Sequence, residues 1–320
     1  MVPERAFRRI TTIAAIMVLC LGLMAPSASA FPRFHTPKLV VLGDSFASGV
    51  GNYPYQDNTN PCKRSDISYG PILYRLHLVH LQAFVACSGA TTEQVSGSGP
   101  NGEPEHQIDS IAKDTDVITV QALGNDFAVG AIERTCFLPE PFKVDCTRDT
   151  LIGGQTVGSI IDSILTQGPV KLRALYSQID GKRNPKSIVI TPGYPNIVGN
   201  GGLFCPGVSS DEIQFTATMV ANLNTAIKTV SNEYHYRYAP VDSLFRGHDA
   251  CAGPFFGIYA ILPPPNPPAS ADPDGGGALH PNQLGQTIYA AAVAKRVAPD
   301  PALAIDAADW RCPMRAWRNW

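Results

Sequence analysis

The chain is poor in charge. Only 16% of its 320 residues are Asp, Glu, Lys or Arg, and the two signs nearly cancel to a formal −2. Without a basic excess there is no electrostatic footprint for nucleic acid as a general partner. Metal-ligand spacing is also missing. No C-x-x-C or H-x-x-x-H pair occurs, so neither a zinc ribbon nor a helix-borne zinc site is expected, and no metal is called for. Long apolar runs are scarce. The stretch Ile10 to Met24 falls short of the roughly 20 residues that a membrane helix needs, and no later segment does better. Internal repeats and long linkers are absent too, which favours one main domain.

What is present begins with a leader. Arg5, Arg8 and Arg9 precede the Ile10–Met24 stretch, and Ala28-Ser29-Ala30 offers a small-x-small cleavage site. This pattern reads as a signal peptide over residues 1–30, with an uncleaved anchor as the alternative. Loss of Glu4 and the three arginines leaves 22 basic and 26 acidic residues, a charge of −4. The expected product is a secreted, extracellular, soluble monomer. Its main domain spans residues 31–300, followed by a tail over 301–320. That tail holds Trp310, Trp317 and Trp320 among Arg311, Arg315 and Arg318. It reads either as a strap docked over an apolar groove or as an anchor in peripheral contact with lipid or a polymer.

Export predicts disulfides. Pairing in chain order is the simplest scheme: Cys62–Cys87, Cys136–Cys146 and Cys205–Cys251, with Cys312 left over. Sequence alone leaves other pairings open.

Five short β-rich runs recur, at Lys38–Leu42, Gln82–Ala86, Asp116–Gln121, Ser187–Thr191 and Tyr236–Val241. Helical patterns lie near Ser68–His77, Asp126–Thr135, Gly158–Ser177, Ile213–Glu233 and Asn282–Val297. Strands alternating with helices predict an α/β fold, a three-layer α/β/α sandwich around a five-stranded parallel sheet. The Pro-, Gly- and Asp-rich stretch from Ala260 to Gly277 is predicted as a stiff exposed loop.

Four segments fall at the carboxyl ends of predicted strands or open the last helix. They are Gly43-Asp44-Ser45-Phe46-Ala47-Ser48, Cys87-Ser88-Gly89-Ala90-Thr91, Leu123-Gly124-Asn125-Asp126, and His280-Pro281-Asn282-Gln283-Leu284-Gly285. Open α/β sheets place their chemistry at these strand ends. Each segment alone is an ordinary polar turn. Together and in order, from about Leu39 to Val297, they resemble the SGNH (GDSL) hydrolase family. The cysteine spacing and Phe245-Arg246-Gly247-His248…Cys251 are similar to its secreted lipase and esterase branch, which carries three disulfides.

That resemblance implies a flavodoxin-like fold and a serine ester hydrolase that needs no cofactor and acts on an ester substrate, lipid or small acyl ester. It implies Ser45 as nucleophile and His280 as base, with an oxyanion hole made of the Ser45 and Gly89 N–H groups and the Asn125 side chain. The roles suit the chemistry. A serine hydroxyl needs a base to take its proton. The developing oxyanion needs donors, and an amide donates without bringing charge. Glycine at 89 keeps a side chain from crowding the substrate. As alternatives, Asn125 and Asp126 read as a helix cap. His35, His77, His80, His106 and His235 have no motif around them, and His248 reads as an organiser of the loop near Cys251.

Two positions depart from the family pattern. Gly277 stands three residues before His280, where relatives commonly carry Asp, so the Gly277 carbonyl, Asp274 or Asp272 would have to orient the imidazole. Leu123 stands where relatives often have Gly. Rival readings are a carbohydrate acetylesterase and a non-catalytic lipid- or glycan-binding protein on the same fold.

Overall fold

All five predicted strands form, and they make one sheet. In chain order they are β1 (Lys38–Gly43), β2 (His80–Phe84), β3 (Val117–Gln121), β6 (Ile188–Pro192) and β7 (Arg237–Ala239). β4 (Leu151–Ile152) and β5 (Gln155–Thr156) form a separate small hairpin. The sheet runs β2-β1-β3-β6-β7 with every neighbouring pair parallel. All five residues of β3 are buried, as a central strand covered on both faces requires. This computed structural model describes residues 36–100, 106–137, 145–198, 208–250 and 279–297. The leader, the Ala260–Gly277 loop, the Trp/Arg tail, Cys205, Cys251 and Cys312 lie outside the described residues.

The helices are α1 (Ser45–Ser48), α2 (Tyr69–Arg75), α3 (Thr92–Ser96), α4 (Val129–Cys136), α5 (Val157–Lys182), α6 (Ser210–Glu233) and α7 (Gln283–Val297). α2 packs with α7, while α5 packs with α3 and α6, which puts a helical layer on each face of the sheet. The expected α/β/α sandwich is therefore the observed one. No helix among the described residues is long and apolar enough to cross a membrane.

Where element bounds differ from expectation, local chemistry explains it. α6 starts three residues early because Ser209 and Glu212 form a reciprocal capping box. The pattern over 126–135 splits into a 3₁₀ turn, Gly124–Phe127, and α4, because Ala128 between them is left-handed at φ 52°. α1 and α3 are each under two turns, too short to show a helical period.

Two disulfides close as pairing in chain order predicts, Cys62–Cys87 and Cys136–Cys146. Three surface ion pairs stand at or beside the amino-terminal rim of the sheet. Lys38 pairs with Asp114, Lys182 with Asp109, and Arg183 with Asp180. Each contributes little to stability in water.

Candidate active site

β1 ends at Gly43, and the site starts there. Gly43 has φ +143°, and a Cβ on it would lie 2.4 Å from the Gln121 carbonyl oxygen, so only glycine fits. The buried Gln107 holds both of its backbone groups. Gly43 N–H donates to Gln107 Oε1 at 2.7 Å, and Gln107 Nε2 donates to the Gly43 carbonyl at 3.0 Å. The chain then turns through Asp44 into α1. Asp44 N–H donates to the Gln121 carbonyl at 2.9 Å, which fastens the turn to β3.

Asp44 is the N-cap of α1. Its Oδ1 accepts from Phe46 N–H at 3.0 Å, and its Oδ2 accepts from the Tyr194 hydroxyl. The side chain is buried. Desolvation pushes the carboxyl up to about 7, against the pull of hydrogen bonds from Tyr194, Phe46 and Ala47.

Ser45 is the first residue of α1. Its Oγ lies 2.8 Å from His280 Nε2, joining residues 235 positions apart. His280 immediately precedes the segment that opens α7, and three ties hold that helix to the serine turn. Asn52 Nδ2 donates to the Pro281 carbonyl at 2.9 Å and to Gly49 at 3.1 Å. Gln286, wholly buried in α7, donates to the Phe46 carbonyl at 3.0 Å and accepts from Tyr69 N–H at 3.1 Å. The Phe46 ring lies 5.1 Å from the imidazole.

The neighbouring strand ends bring up hydrogen-bond donors. Ser45 N–H is the first of its helix and has no intrahelical acceptor. Gly89, after β2, is exposed at φ +84°, and a Cβ on it would approach nothing nearer than Pro100 Cβ at 4.0 Å. Its positive φ is a reason for glycine that the sequence did not show. Asn125, after β3, spends one amide N–H on the Ala90 carbonyl at 3.1 Å, which leaves the second.

The helix-cap reading of this turn changes. α4 has Ala128 at its N-cap with no side-chain bond. Asp126 instead accepts from Thr92 N–H at 2.9 Å and Thr92 Oγ1 at 2.8 Å, bracing α3, with Lys171 Nζ at 3.4 Å.

Thus Ser45, His280, Gly89 and Asn125 all lie at the carboxyl edge of β2-β1-β3 or on the segment hydrogen-bonded to it. Gly277, Asp274 and Asp272 lie outside the described residues. Asn52, Gln107, Tyr194 and Gln286 escaped the sequence reading. Only Tyr194 carried a signal, its place just past a predicted strand. Among the described residues no group of three or more His, Cys, Asp or Glu side chains is placed to hold a metal ion. A hydroxyl bonded to an imidazole, in a turn bordered by backbone N–H groups and an amide, is equipped for acyl transfer.

The chain resembles known lipases in sequence and in fold. The model of the GDSL-like Lipase/Acylhydrolase family matches residues 41–288. A lipase of Streptomyces rimosus is 28% identical over 251 residues, 78% of this chain and 87% of the relative. Two crystal structures share the fold at 23% identity, each over 82% of this chain and 100% of the other. They are an extracellular lipase from Streptomyces rimosus, with a TM-score of 0.65, and a phospholipase A1 from Streptomyces albidoflavus NA297, at 0.64. The chain belongs to the GDSL-like lipase/acylhydrolase family and is an ester hydrolase of the SGNH type.

Proposed function

We propose that this chain is a secreted lipase or carboxylesterase in which Ser45 is the nucleophile and His280 the general base. The observation that carries the reading is the 2.8 Å contact between Ser45 Oγ and His280 Nε2. Ser45 Oγ attacks the ester carbonyl while His280 takes its proton. The N–H groups of Ser45 and Gly89 and the free amide N–H of Asn125 stabilise the oxyanion. His280 returns the proton to the departing alcohol, which leaves Ser45 acylated. Water, deprotonated by His280, then attacks the acyl group, and the acid leaves as Ser45 regains its proton. The Gly277 carbonyl orients the imidazole in place of a carboxylate, with Asp274 and Asp272 as the competing candidates.

Secretion rests on the leader over residues 1–30 and on two closed disulfides. The low charge and the lipase and phospholipase A1 relatives favour lipid-like acyl esters over acetylated glycans.

The test is hydrolysis of p-nitrophenyl esters from acetyl to palmitoyl by the chain exported with its own leader, beside Ser45→Ala. Turnover that disappears in Ser45→Ala and peaks at medium or long chains supports the reading. A sharp acetyl optimum would replace it with the acetylesterase, and folded protein inert on every ester would replace it with the binding protein.

A further inference from the structure

Two turns of the candidate site are bridged from behind by one phenol. Tyr194 follows β6, is 4% exposed, and is gripped at its backbone by α6. Asn224 Oδ1 accepts from Tyr194 N–H, and Asn224 Nδ2 donates to the Tyr194 carbonyl, both at 2.8 Å. The ring stands edge-on to Phe46 at 5.2 Å. Its hydroxyl accepts from Gly124 N–H at 3.3 Å and donates to Asp44 Oδ2. Asp44 immediately precedes Ser45, and Gly124 immediately precedes Asn125. One oxygen therefore touches the residue before the nucleophile and the residue before the amide donor.

Other groups face Asp44 without doing this. Tyr69 of α2 gives its proton to Thr119 Oγ1, and Tyr289 of α7 gives its proton to the Gly193 carbonyl. Asp126, in the turn after β3, and Glu133 of α4 act on Asp44 only by repulsion. His280 reaches the neighbouring Ser45.

We propose that Tyr194 is a positioning residue that sets the spacing between the nucleophile Ser45 and the oxyanion donor Asn125. The proposal rests on the ester-hydrolase reading of these two residues. Ser45 rides on α1, whose cap is Asp44, and Asn125 rides on the 3₁₀ turn that begins at Gly124. Their separation decides whether a carbonyl oxygen in the site meets the amide as it becomes an oxyanion. Such donors act mainly in the transition state, so an error in spacing lowers kcat more than it raises KM.

The experiment is a double-mutant cycle on the full chain, with p-nitrophenyl butyrate as probe and circular dichroism to verify folding. Asn125→Ala is expected to lower kcat roughly a hundredfold. Tyr194→Phe is expected to lower kcat roughly tenfold with KM held within about twofold. The double variant should be little worse than Asn125→Ala alone, because a donor already removed cannot be misplaced. If Tyr194→Phe does not fold, Asn224→Ala, which releases the Tyr194 backbone, should show a smaller kcat loss with the same non-additivity. Multiplicative losses, an unchanged kcat, or a loss carried by KM would overturn the proposal. Full activity in Asn125→Ala or Ser45→Ala would instead overturn the reading beneath it, a separable result.

Discussion

Replacing Asp44 with asparagine should stabilise the protein at neutral and alkaline pH and cost it about 1 kcal/mol in acid, where the carboxyl is protonated in both states. The carboxyl is wholly buried and is pushed from its ordinary 3.8 to about 7. The folded protein therefore binds the proton more tightly than the unfolded chain between those values, and stability falls as pH rises through that window. Above both values the cost is about 4 kcal/mol, of which about 2.5 kcal/mol develops between pH 5 and pH 8. Asp44→Asn has no charge to desolvate there. Its side-chain oxygen keeps the bond from Phe46 N–H, while the Tyr194 proton loses its acceptor at a cost of about 1 kcal/mol. Urea titrations of both proteins at pH 5, 6, 7 and 8 would measure the gap. It should move in favour of Asp44→Asn by about 2.5 kcal/mol across the series. A gap constant within about 0.5 kcal/mol, or one that moves the other way, would refute the claim that burial dominates at Asp44.

Three further outcomes are expected. Leu123 is fully buried at φ +133°, a conformation costing about 1–3 kcal/mol for an L side chain, so Leu123→Gly should be more stable than Leu123→Ala by about 1 kcal/mol in urea midpoints. That reverses the usual order, and both should lie below the parent by about 2–4 kcal/mol because of the cavity. Asn52→Ala removes the bond to the Pro281 carbonyl and should lower kcat roughly tenfold on a short ester; an unchanged kcat would mean that Gln286 alone seats α7. Cys87→Ser opens the Cys62–Cys87 link, which closes a separation of 25 residues, and should cost about 3 kcal/mol in denaturant. It should also slow turnover, since Ser88 N–H bonds the Cys62 carbonyl next to Gly89.

The sheet was legible because parallel strands buried on both faces must be short runs dominated by β-branched apolar residues, as Val117–Gln121 and Ile188–Pro192 are, with Thr119, Gln121 and Thr191 as their polar members. The residues brought to its carboxyl edge were legible because strand ends are few and Ser45, Gly89 and Asn125 each come within about five residues of one. The supports behind them were not. Gln107 bonds Gly43 across 64 residues, Tyr194 bonds Asp44 across 150, and Asn52 bonds Pro281 across 229. These are polar side chains reaching remote partners with no period or local motif, and pattern reading has no purchase on them. Cap chemistry was legible in principle. Ser209 and Glu212 stand at capping-box spacing, yet apolar periodicity alone placed the start of α6 too late.

A parallel sheet also gives the molecule two unlike ends. Every turn implicated in chemistry hangs from the carboxyl edge, while Lys38, Lys113 and Lys182 stand at the amino-terminal rim or beside it, two of them in exposed ion pairs. Amines on that rim offer attachment points at the end of the sheet away from Ser45 and Asn125. Coupled to a solid support through them, the protein would sit with its working edge outward, and the anchoring bonds would cross none of the hydrogen bonds that join Ser45, His280 and Asn125 to the fold.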